Sequence, residues 1–156
     1  DASVRVPLIV RPPGGQSGCT SEGLTDCLNV VATLIDVAGA EPLENSDGLS
    51  FAQQVLAGPD AEGAQKGKEV VFSEVASHTM VFDGRYKLVV EALSHKPVEL
   101  YDCETDPDEV NNRADDPELE SIRRGLIATH LSQIRHRLDE SKLKEYEETP
   151  GKTYPR

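Results

Sequence analysis

The chain has 156 residues, 28 of them acidic and 16 basic, for a formal net charge of −12. That balance excludes a protein held on phosphate backbones or on an anionic membrane surface, since both recruit clustered Lys and Arg. Apolar residues make up 37%, aromatics only 4%, and no stretch approaches the ~20 apolar residues of a spanning helix, so neither nucleic acid nor membrane is expected as a partner. Asp1-Ala2-Ser3-Val4-Arg5 lacks a charged-then-apolar pattern, so no targeting leader is expected, and the compartment stays open. Cys19, Cys27 and Cys103 show neither C-x-x-C spacing nor a paired His at zinc intervals, and they read as buried or loop thiols.

Val4-Arg5-Val6-Pro7-Leu8-Ile9-Val10 is almost continuously apolar, the mark of a strand buried on both faces. Arg11-Pro12-Pro13-Gly14-Gly15 ends it, because prolines donate nothing to a ladder. No further run of this kind follows, so Val6 to Val10 reads as an orphan strand. Residues 14–23 are loop. Thr25 is the predicted N-cap of a first helix, with Asp26 in its first turn. Leu28, Val31, Leu34, Ile35 and Ala38 form its predicted buried stripe, and Gly39 its stop. A second helix is predicted from Ser50 to Ala57, burying Phe51 and Val55 and ending at Gly58. Residues 59–68 read as a mobile connector.

Beyond the connector the apolar period becomes two. Glu69 to Val75, Thr79 to Phe82, Arg85 to Ala92 and Val98 to Tyr101 are predicted strands, with Asp83-Gly84 as a two-residue type I′ turn. That turn sets Val81 opposite Tyr86 and Thr79 opposite Leu88. The other face carries Met80, Phe82 and Val89 among charges and predicts a second surface to be covered. A long helix follows, capped by Asp116, with Pro117 at its first position and reaching about Asp139. Its predicted stripe is Leu119, Ile122, Leu126, Leu131, Ile134 and Leu138. The fold class is therefore α+β: a four-stranded antiparallel sheet packed by a long C-terminal helix, preceded by one orphan strand and helices.

Few residues present a complete chemistry. Asp102, Glu104, Asp106 and Asp108 imitate a calcium loop, but Pro107 stands where glycine is required and Arg113 where the bidentate Glu belongs. Their structural reading is a turn in which carboxylates accept from nearby amides. Gly15-Gln16-Ser17-Gly18-Cys19 lacks the final glycine of a nucleophile elbow, and Gly63 to Lys68 lacks the spacing of a phosphate loop. The four His, at 78, 95, 130 and 136, have no i,i+4 pairing. Only His78, close to Glu74 in a loop beside strands, stands where a binding residue belongs, and an ordinary loop histidine is the competing reading.

Taken in order, the unusual segments resemble the C-terminal part of the sulfatase family, in the alkaline-phosphatase-like superfamily. Arg5 to Gly14 resembles R-V-P-L-I-V-R-x-P-G, Thr33 to Gly39 resembles the P-T-L-L-D-L-A-G helix, and Asp47-Gly48-Leu49-Ser50 the D-G-x-S after it. Asp83 to Leu88 is similar to the G-R-Y-K-Y hairpin. Glu99-Leu100-Tyr101-Asp102, Asp106-Pro107-Asp108-Glu109 and Asn111-Asn112 resemble E-L-Y-D-L-x-x-D-P-x-E-x-x-N. Asn29 and Ala32 depart from the Asp and Pro usual in the first helix.

The resemblance assigns residues 1–58 to the incomplete end of a large α/β domain, 59–68 to a connector, 69–145 to a small C-terminal α+β subdomain and 146–156 to a frayed tail. It implies a sulfuric ester hydrolase whose formylglycine, divalent cation (Ca or Mg) and catalytic Asp, Asn or His and Lys groups lie ahead of the matched segment. No Cys or Ser here is followed by P-x-R, so this chain is expected to hold no catalytic residue, metal ligand or cofactor and to be inactive alone. Its expected partners are the missing N-terminal catalytic domain and, through the exposed first strand, a second copy. Glu74 and His78 are the candidate substrate-binding residues, at a pocket rim in the intact parent; the competing structural reading makes Glu74 an ion-pair partner of Arg85 or Lys87. Two alternatives remain: a stand-alone acidic interaction module, or part of a phosphodiester or phosphonate-ester hydrolase.

Overall fold

The computed structural model of the chain describes residues 4–12, 14, 18–62, 64, 66–75, 77–92 and 94–137. They fall into two units that divide between Val71 and Phe72, beyond the predicted connector. Lys68 shows why residues 59–68 belong to the first unit. Its amide donates to the Leu24 carbonyl (2.9 Å), and its ammonium reaches Asp26 Oδ2 at 2.5 Å. Gly67, at φ 99°, lets the backbones touch there, since a Cβ on it would lie 2.6 Å from the Leu24 nitrogen. The predicted tail, 146–156, lies outside the described residues.

In the first unit, helix α1 spans Cys27–Val37. Its cap is Asp26 and not Thr25: the Asp26 carboxylate accepts from the amides of Leu28 (3.0 Å) and Asn29 (3.1 Å). It stops as predicted at Gly39 (φ 65°), whose amide donates to Asp36 O while Ala40 N donates to Ile35 O, the paired bonds of a Schellman motif. The buried side chains of α1 are Asn29 and Thr33, whereas Leu28, Val31 and Leu34 of the predicted stripe are exposed. The cause is the segment before α2 (Ala52–Ala57), which lies against the polar face. Leu49 N donates to Asn29 Oδ1 (3.1 Å) and Phe51 N to Thr33 Oγ1 (3.0 Å). Ser50 lies before α2 and not inside it; its hydroxyl accepts from Ala52 N and donates to Asp36 Oδ2. Val6 to Val10 forms no strand; without a ladder partner its apolar residues stay exposed.

The second unit is the predicted antiparallel sheet, in the order β1 (Val71–Val75), β2 (His78–Phe82), β3 (Tyr86–Glu91), β4 (Pro97–Asp102). The hairpin register differs from the predicted one. Val81 pairs with Leu88 and Thr79 with Val90, which moves the turn centre from Asp83-Gly84 to Gly84-Arg85. Gly84 takes φ 98° at the first central position, as in a type II′ turn. Asp83 decides this, because its carboxylate accepts from the amides of Arg85 (2.9 Å) and Tyr86 (2.7 Å). A shift of two residues leaves every side chain on its predicted face.

That face is the core: Val81, Leu88, Val90 and Leu100 are fully buried. After Asp116, which accepts from Glu118 N (2.9 Å), the chain makes one 3₁₀ turn at Pro117–Leu119 and then helix α3, Glu120–Arg137, which contacts β2 and β3. Leu119 and Leu126 are buried and Ile122 half-buried. The side chains of Leu131, Ile134 and Leu138 lie outside the described set. Met80, Phe82 and Val89, on the other face, are half-buried. Leu126→Ala should cost ~2–5 kcal/mol through the lost apolar contact and the cavity left behind, as measured by chemical denaturation.

Candidate functional site

Two residues were singled out by sequence for substrate contact. Glu74 is the fourth residue of β1 and His78 the first of β2, on neighbouring strands joined by residues 76 and 77. Both side chains are exposed, and the His78 Nδ1 lies 3.3 Å from the Ser77 hydroxyl. The competing role for Glu74, an ion pair with Arg85 or Lys87, meets a different arrangement: both cations have acidic partners on the far side of the sheet.

Arg85, at the hairpin tip, binds Asp102 at the end of β4 in a two-pronged contact, Nε to Oδ1 at 3.0 Å and Nη2 to Oδ2 at 2.8 Å. Its third nitrogen reaches Glu104 Oε2 at 2.8 Å, and its plane lies 4.9 Å from the Tyr86 ring centre. The Arg85 hydrogen bonds hold the Asp102 carboxyl below the usual carboxylate range, against the opposing effect of desolvation. Lys87, almost fully buried on β3, pairs with Glu109. The acidic turn is thus consumed by structure. Asp102 and Glu104 hold Arg85, and Asp106 accepts from Val110 N (3.2 Å) and Asn111 N (2.8 Å). Among the described residues no group of three His, Cys, Asp or Glu is placed to hold a metal ion.

The following segment serves β4 itself. As the last strand of the sheet, β4 has an outer edge of unpaired amides and carbonyls, which costs stability unless covered. Asn112 covers it. Its Oδ1 accepts from Leu100 N (3.1 Å) and Ala114 N (2.9 Å), its Nδ2 donates to Val98 O (3.0 Å), and Arg113 N donates to Leu100 O (2.8 Å). Arg113 then pairs with Asp116, whose carboxyl it holds down. Sequence reasoning missed this locking set, although Arg85, Lys87, Asp102, Glu109 and Asn112 all stand in the segments it quoted.

Burial pushes the Cys103 thiol up, which withholds the thiolate a nucleophile needs. The first unit contains a cleft of about 620 Å³ bordered by Val10, Leu24, Leu49, Phe51 and Val55, and among the described residues its lining contains no Asp, Glu, His, Lys or Arg.

The family model described as N-sulphoglucosamine sulphohydrolase, C-terminal, matches residues 1–137. The chain belongs to this sulfatase C-terminal family. It is 29% identical to an ulvan-active sulfatase of Formosa agariphila over 86% of its own length and 34% of that protein's. Its fold is similar to a 2-O GAG sulfatase (28% identity, TM-score 0.56, 67% of this chain and 24% of the other). It is also similar to the phosphonate monoester hydrolase of Agrobacterium radiobacter (25% identity, TM-score 0.55, 72% and 25%). The sulfatase C-terminal chain therefore spans about a quarter to a third of the proteins it matches.

The charged locks give this sulfatase C-terminal region an acid limit. Asp102 and Asp116 have lowered folded-state pKa values, so their stabilisation is present above the unfolded carboxylate pKa of ~3.9 and is lost as pH falls through the folded values. His95 adds an earlier step: burial lowers its pKa, so the unfolded chain takes up the proton first and stability declines below pH ~6.5. In melting temperature against pH, His95→Asn should remove the early step, since Asn tolerates the φ of 55° found there. Asp102→Asn should flatten the steep acid limb while lowering stability at neutral pH.

Proposed function

We propose that the chain is the C-terminal part of a sulfuric ester hydrolase, in which it supplies scaffold and a rim of the substrate pocket while the chemistry resides in preceding residues. The observation that carries this is the joint placement of the family motifs. Across 1–137 the segments shared with sulfatases map onto locks of the fold: Arg85 with Asp102, Lys87 with Glu109, Asn112 on β4. A divalent cation and a formylglycine belong, in this reading, to the catalytic body. The acidic turn at 102–108 does not fit a cation, because Asp102 and Glu104 are bound to Arg85 and Asp106 to backbone amides.

The test is hydrolysis of an aryl sulfate by the 156-residue chain and by the complete polypeptide, with and without Ca²⁺ or Mg²⁺. The chain alone should show no turnover above background, and the complete polypeptide should be active. Activity copurifying with the folded short chain overturns the reading. The likeness to a phosphonate monoester hydrolase favours one second reading, cleavage of phosphonate esters, which the same assay with a phosphonate monoester distinguishes. Self-association through the exposed 6–10 segment is proposed for the chain by itself, and light scattering over a concentration series reads it.

Within this reading Glu74 and His78 orient a sulfated sugar or similar alcohol by hydrogen bonds to its hydroxyls, a positioning role outside the bond-breaking step. Both are exposed and project from adjoining strands. Glu74→Ala and His78→Ala in the complete enzyme should raise KM for a large sulfated substrate severalfold and leave KM for a small aryl sulfate unchanged. Equal loss on both, with a lowered melting temperature, would assign them to the fold.

A further inference from the structure

Glu91, the last residue of β3, takes no part in the charged locks of the second unit. It is the Cα partner of His78 across β2 and β3. One step nearer the turns, Ala92 N donates to Ser77 O at 2.8 Å. Hydrogen-bonded and open pairs alternate along an antiparallel ladder, so His78 and Glu91 form an open pair, in which opposite side chains stand closest. Their Cβ atoms are then about 4.5–5.5 Å apart. Both residues are exposed and share the sheet face of Met80 and Val89. Each has one polar atom beside a serine: the Ser94 hydroxyl donates to Glu91 Oε2, and the Ser77 hydroxyl lies 3.3 Å from His78 Nδ1. The β3–β4 turn is held as well, since Glu91 N donates to Lys96 O and His95 N to Glu91 O, both at 2.9 Å.

We propose that Glu91 is a specificity-determining residue which, with His78, reads two free hydroxyls on neighbouring carbons of the substrate alcohol. This rests on the reading above that His78 stands at the substrate rim, and it narrows the alcohol to one that carries a diol beside its ester. The serines leave Glu91 Oε1 and His78 Nε2 to face outward side by side. Glu91 Oε1 only accepts, whereas a hydroxyl both donates and accepts. One hydroxyl therefore donates to Glu91 while its neighbour meets the imidazole. The carboxylate repels an anion, so the ester group itself does not sit here. An aryl or simple aliphatic alcohol offers the pair nothing to bind. Because the serines and the turn already hold both side chains, little rotamer freedom is lost when the diol docks.

The test uses the complete polypeptide, a panel of methyl glycoside monosulfates, and a nitrophenyl sulfate. The glycoside sulfate cleaved fastest is then compared with its deoxy analogues, each lacking one hydroxyl of the diol. Removing either hydroxyl should lower wild-type kcat/KM by about tenfold, the worth of one hydrogen bond at a rim. Glu91→Ala should erase the penalty for one of the two hydroxyls and His78→Ala the penalty for the other. Ser94→Ala, which removes the turn contact and keeps the carboxylate, should retain both penalties. The proposal is overturned by a wild type that cleaves the aryl sulfate and no glycoside sulfate, or by deoxy analogues cleaved as fast as the parent. Equal loss of discrimination in Glu91→Ala and Ser94→Ala also overturns it, since Glu91 would then only hold the turn. A complete wild-type polypeptide inactive on sulfate and phosphonate esters alike is a separate result, which removes the functional reading and this proposal with it.

Discussion

The bidentate contact between Arg85 and Asp102 joins two places far apart in the chain, the tip of the β2–β3 hairpin and the last residue of β4. Everything after β4 starts from that point. With Asp102 held, its carbonyl accepts from Thr105 N and Asp106 N, which turns the chain back on itself. The Asp106 carboxylate continues the turn to Asn111. Asn112 then reaches the β4 edge, and Arg113 anchors Asp116 at the start of the terminal helix. Each link satisfies backbone groups that would otherwise be stranded, so the loss of Asp102 would be felt well beyond its own salt bridge.

A related economy operates in the first unit, where α1 is fastened through its polar face. Asn29 and Thr33 stand one turn apart and accept from amides two residues apart, Leu49 and Phe51, so a helix period is matched to an extended one. Gly48 permits the approach, because a Cβ there would lie 2.4 Å from the Leu28 carbonyl oxygen. Asn29 takes a position where Asp is usual in the resembling family, and its Oδ1 supplies an equivalent acceptor. Hydrogen bonding thus fixes the inner face and leaves the apolar one outward.

These locks explain how one architecture stands beside different ester chemistries. The fold is similar both to a GAG sulfatase and to a phosphonate monoester hydrolase, and the charged side chains common to the motifs here hold strands, turns and caps. Arg85, Lys87 and Arg113 are each paired with a carboxylate of the same region.

In the second unit the sequence alone determined the element types, the four strands and the faces of the sheet, because period-two and period-3.6 patterns follow from local backbone geometry; in the first, the strand expected over Val6 to Val10 did not form. It also carried the caps at Asp116 and Gly39 and the family motifs, all of which are short-range. Three things were decided only in three dimensions. The Asp83 carboxylate competed for two amides and shifted the hairpin turn by one residue. The 49–51 backbone selected the polar face of α1, overriding its apolar stripe. Arg85 and Lys87 chose Asp102 and Glu109 over Glu74, because β4 and its turn bring those carboxylates alongside β3. In each case the deciding partner is distant in sequence or acts through a backbone amide, and neither leaves a trace in residue spacing.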